Sequence, residues 1–132
     1  MNFPKLSVEL QRRGGVFSPG EMLCAKVQIL EAEKTAVEAV ECSVLWFTVG
    51  KGEEDLAVHH FQRYDFPAGK KELVDQPLAI ECTLPASPLS YEGVIVKICW
   101  CVRARLFLHG GHEIALDAPF RLGTVRAAVV ES

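Results

Sequence analysis

The chain has 132 residues, with 14 Lys and Arg against 17 Asp and Glu, for a formal net charge of −3. That length suits one domain with one core of ordinary size, and the charge excludes a general electrostatic hold on nucleic acid. A composition of 49% hydrophobic and 23% charged residues is globular, and no apolar run reaches the roughly 18–20 residues that span a bilayer.

The opening residues lack the apolar stretch of a secretion signal, so a cytoplasmic location is expected, without direct membrane association. Leu6, Val8 and Leu10 alternate with Lys5, Ser7 and Glu9, which predicts a half-buried strand. Arg12 to Glu21 reads as loop, punctuated by Gly14-Gly15 and Pro19-Gly20. Leu23, Ala25, Val27 and Ile29 mark a second strand. Glu31 to Val40 is rich in Ala and Glu, and a hairpin connection is favoured there over a short helical turn. Val37 to Val49 is a third strand, closed by a polar turn at 50–55. Leu56 to Tyr64 is a fourth with a weaker pattern, and Phe66 to Asp75 a loop. Pro77 to Leu84 is a fifth strand. Val94 to Leu108 is the sixth and longest, ended by the turn His109-Gly110-Gly111-His112, whose glycines supply positive φ. Glu113 to Leu122 returns as a seventh, and Val125 to Ser132 forms a tail with room for one more short strand.

Strands joined by turns, without a useful helical period, predict an all-β, immunoglobulin-like antiparallel two-sheet sandwich. One domain covers 1–132, with its core at about 5–123. Trp100, Val102, Ala104, Val44, Trp46, Leu23, Val27 and Ile29 are the expected core.

Three stretches carry a family resemblance. They are Val16-Phe17-Ser18-Pro19-Gly20-Glu21 with the alternating strand after it, Val40-Glu41-Cys42-Ser43-Val44, and Leu84-Pro85 through Pro88-Leu89-Ser90-Tyr91-Glu92-Gly93 to Ile98–Ala104. In order and spacing they resemble the N-terminal domain of the arrestin-like superfamily, over roughly residues 5–123. The superfamily includes arrestin-domain trafficking adaptors, the arrestin-like retromer subunit and bacterial sporulation-control proteins. The resemblance implies the sandwich fold and a non-catalytic adaptor or scaffold role. Arrestins proper carry two such sandwiches and this chain has room for one, so activation by tail displacement does not carry over.

The candidate chemistry is sparse. His109 and His112 flank a turn and offer a ligand- or metal-binding alternative, whereas adjacent His59 and His60 are expected on opposite faces of their strand. Cys99 and Cys101 share one strand face about 6.6–7 Å apart, too far for a relaxed disulfide. All five cysteines fall in predicted strands and read as small buried hydrophobes. No nucleophile elbow or phosphate-binding glycine loop is present, so a hydrolase with a site assembled from distant residues ranks third. No catalytic residue, metal or cofactor is assigned.

The third and sixth strands should be sheet neighbours. If Trp46 and Trp100 face the core, Leu45 and Phe47 point outward with Ile95, Cys99, Cys101 and Phe107, rimmed by Lys97, Arg103 and Arg105. Apolar residues on both faces of an antiparallel sheet imply a cover. This outer face is therefore expected to be the interaction surface, for a homodimer or a partner protein, with nucleic acid excluded.

Overall fold

The computed structural model describes residues 4–12 and 15–123, and the expected tail strand lies outside them. Among the described residues nine strands build two facing sheets. They are β1 (Lys5–Leu10), β2 (Val16–Phe17), β3 (Met22–Leu30), β4 (Val37–Gly50), β5 (Leu56–Asp65), β6 (Leu78–Thr83), β7 (Tyr91–Glu92), β8 (Val96–Leu108) and β9 (Glu113–Leu122). The smaller sheet has the order β1-β3-β6. The larger has the order β2-β9-β8-β4-β5, with β7 paired to β8. Pairing is antiparallel throughout, apart from the two-residue parallel contact of β2 with β9.

Alternation decides what each strand buries. In β3 it is unbroken, and Leu23, Ala25, Val27 and Ile29 are all buried. Opposite them lie Val40, Cys42 and Val44 of β4 with Trp100, Val102, Ala104 and Leu106 of β8. Phe17, Phe120 and Trp100 form an aromatic chain with centroid separations of 5.5 and 5.8 Å. Trp46, expected in the core, faces it and pairs with Trp100 but is only partly buried at its margin.

The resemblance motifs meet one another. The backbone of Gly20 and Glu21 exchanges hydrogen bonds with Leu84 at 3.0 and 2.9 Å, so the Pro-Gly-Glu turn docks on the Leu-Pro segment. Glu21 also accepts from the Ser18 N–H and from Arg12, whose guanidinium stacks over Phe17. Ser90 is the one buried polar side chain among the described residues, and its Oγ accepts from the Leu122 N–H at 2.8 Å. The Trp100 indole N–H donates to the Pro88 carbonyl at 2.8 Å. Gly93 is required for a reason other than a special φ: an added Cβ would collide with the Tyr91 ring and lie 2.7 Å from the Val96 carbonyl oxygen.

Several connections differ from expectation. The link after β3 is not a hairpin, because β4 belongs to the other sheet. The chain leaves β3 through Glu31 at φ 57 and makes a 3-10 turn at Lys34–Ala36. The expected loop at 12–21 contains β2, and the expected loop at 66–75 contains 3-10 helix from Ala68 to Asp75, which buries Val74. The turn at 109–112 behaves as predicted, with Gly110 at φ 95 and Gly111 at φ 87.

Candidate interaction face

The large sheet turns one face to the core. Its other face is organised in levels, read across β5, β4, β8 and β9. One level is Leu56, Phe47, Cys99; the next is Val58, Leu45, Cys101, Pro119. Then come Phe61, Ser43, Arg103, Asp117, and after them Arg63, Glu41, Arg105, Ala115.

The faint pattern of β5 has a structural cause. Val44 pairs with His60 and Leu45 with Val58, so a bulge absorbs His59. The bulge shifts the alternation by one residue and places Leu56, Val58 and Phe61 on the same outer face. They are 54, 52 and 53% exposed. The bulge also overturns the expectation for the histidines. His59 packs edge-on against Trp100 and its Nε2 lies 2.7 Å from the Thr83 carbonyl oxygen, while His60 takes the inward position opposite Val44. With the Tyr64 hydroxyl donating to Ala79 O at 2.8 Å, β5 side chains close the open edge of β6.

The expected residues separate into three groups. Phe47, Cys99 and Phe107 lie half-buried on the outer face, and Lys97 is exposed at its rim. Ile95 is 68% exposed but precedes β8, in the turn beside Gly50. Leu45 and Cys101, expected to be exposed, are each only 2% exposed. They lie at the middle of the face, with strands on both sides and occupied levels above and below, and such side chains lose most of their solvent to neighbours. The exposed apolar surface therefore shifts toward β5, whose Leu56, Val58 and Phe61 the sequence reading had not assigned.

The basic rim is also different in kind. Arg103 binds Asp117 through two hydrogen bonds of 2.8 and 3.1 Å. Arg105 pairs with Glu113 and lies 3.9 Å from Glu41. Arg63 pairs with Glu41 at 2.8 Å and Asp65 at 2.9 Å, and both Arg63 and Arg105 stack on Phe107. The arginines thus belong to a paired network rather than a free stripe. Counting outward from the turn at 109–112 sets Ala118 opposite Arg103; the observed register is one residue shorter, which pairs Arg103 with Asp117.

The thiols of Cys42 and Cys101 offer little nucleophilicity. Burial pushes Cys42 up to about 12. Burial, then the Asp117 carboxylate, pushes Cys101 up to about 12. All five cysteines are free. Among the described residues no three His, Cys, Asp or Glu side chains come together as a metal site. His109 lies 3.8 Å from Glu38 and lines a cleft of about 510 Å³ with Asp65, Pro67 and Lys71, but His112 is not part of it.

The sequence matches no protein-family model and no curated protein. The structure is similar to that of Spo0M, a sporulation control protein from Bacillus subtilis, with a TM-score of 0.66 and 16% sequence identity. The match covers 95% of this chain and 51% of that one, so the chain spans about half the length of its structural neighbour. The likeness shows the fold, a two-sheet β-sandwich of the kind the sequence resemblance implied.

Proposed function

We propose that this domain is a non-catalytic adaptor or scaffold module of the cytoplasm, and that it binds protein through the outer face of its large sheet. One observation carries the reading: Leu56, Val58 and Phe61 form a half-exposed apolar strip beside Phe47, on a sheet face that is ordinarily solvated. The paired arginines support a protein partner over nucleic acid, because their charge is already met by Asp117, Glu113, Glu41 and Asp65. Among the described residues no helix is long and apolar enough to cross a membrane.

The test is affinity capture with three forms of the domain: wild type, Phe47→Asp/Val58→Glu, and a control bearing Lys26→Glu on the smaller sheet. A protein held by wild type and the control, lost by the double variant, and rebound in a purified two-component assay is the expected result. A partner retained by the folded double variant would remove the face from the account.

A further inference from the structure

We propose that the partner meets this face through an extended segment, added to the free edge of β5 as a further antiparallel strand. The inference rests on the interaction-face reading and names the form and chemistry of what binds. β5 ends the large sheet: β4 occupies one of its edges, and among the described residues no strand pairs with the other. Two hydrogen bonds fix which peptide groups point to that free edge. The Phe66 N–H donates to the Glu38 carbonyl and the Thr48 N–H to the Asp55 carbonyl, both at 2.9 Å. In an antiparallel strand the N–H and C=O of one residue point to the same side, and that side alternates along the chain. Counting back from Phe66, Tyr64 and Gln62 turn their peptide groups to β4, while Asp65, Arg63 and Phe61 turn theirs outward. Counting forward from Asp55, Leu56 and Val58 also turn outward, because the bulge at His59 resets the peptide direction and the side-chain face together. The free main-chain groups and the exposed outer-face side chains therefore belong to the same residues.

Other edges of the two sheets are covered. The Ala79 and Thr83 carbonyls of β6 meet the Tyr64 hydroxyl and the His59 ring, and β9 carries β2 on its far side. β5 is the longest strand at a sheet margin, at ten residues, and it contains neither proline nor lysine, which commonly blunt such edges. A helix satisfies its own peptide groups and would leave this edge bare, whereas an added strand pairs it and continues the outer face. The bulge bends β5, so the added strand runs along the arm from Phe61 to Asp65. Its alternate side chains lie about 5.5 Å from those of Phe61, Arg63 and Asp65. An apolar side chain suits the first, a carboxylate the second and a cation the third. The occupied edge already shows the middle choice, with Glu41 directly across from Arg63 at 2.8 Å. Read from its N-terminus, the segment is basic, acidic and apolar at alternate positions.

A designed probe tests the proposal on the unaltered chain. It is a capped seven-residue peptide in which threonine alternates with lysine, glutamate and valine, in that order. The probe should bind, shift the NMR signals of the Phe61, Arg63 and Asp65 amides, and slow their hydrogen exchange, which should be fast in the isolated chain. N-methylation at the glutamate and valine removes donors aimed at β5 and should weaken binding by about tenfold or more. N-methylation at the two central threonines, whose N–H groups point away, should leave affinity within about twofold of the parent. Slow exchange of those three amides in the isolated chain, equal loss from both methylation patterns, or no binding at millimolar probe would overturn the proposal. No probe binding, with a captured protein still lost on Phe47→Asp/Val58→Glu, would remove the added strand and leave the interaction face standing.

Discussion

Trp100 joins the core to its surroundings through two contacts of different kinds. It is 1% exposed, lies within 5.8 Å of the Phe120 ring, and donates its indole N–H to Pro88. Trp100→Ala should cost about 3–5 kcal/mol, as large-to-small aromatic changes in cores do. Urea unfolding measures this, and a loss under about 1 kcal/mol would show that the ring is not the keystone described. The buried thiols make a second prediction at this scale. Cys42 and Cys101 sit near 12 in the folded chain against about 8.5 when unfolded. Their folded values are raised, so their contribution is fully present below about pH 8.5 and is lost as pH rises through about 12. The urea midpoint should fall across that window, and fall less steeply in Cys42→Ala. Neither thiol should react with a thiol reagent in the native protein at neutral pH.

Strands with strict alternation were legible residue by residue. The buried set of β3 and the shared inward set of β4 and β8 follow from period two alone. What escaped depends on neighbours that no local pattern contains. The bulge at His59 scrambles β5, and only its pairing with β4 shows that Phe61 joins Leu56 and Val58. The change of sheet between β3 and β4 is a tertiary choice, carried by Glu31 in a left-handed conformation. The burial of Leu45 and Cys101 reflects their place in the middle of a wide sheet. The constraint on Gly93 is likewise set by neighbours, through packing against Tyr91 and Val96. Gly93→Ala should therefore destabilise by about 1–3 kcal/mol through overpacking, and Gly93→Ala combined with Tyr91→Ala should recover part of the loss. A double variant no better than the single would place the constraint elsewhere.

The molecule as a whole is a sandwich whose large sheet has one face in the core and a half-apolar face outside it. The charged end of that outer face is satisfied within the chain, and its apolar end is not. The central claim is that this face, and not the smaller sheet, meets the protein's partner. Hydroxyl-radical footprinting of the chain in its native complex, against the dilute isolated chain, tests it most directly. Protection centred on Leu56, Val58, Phe61 and Phe47 is the predicted result. Protection confined to β1, β3 and β6, with those four side chains oxidised as fast as in isolation, would contradict it.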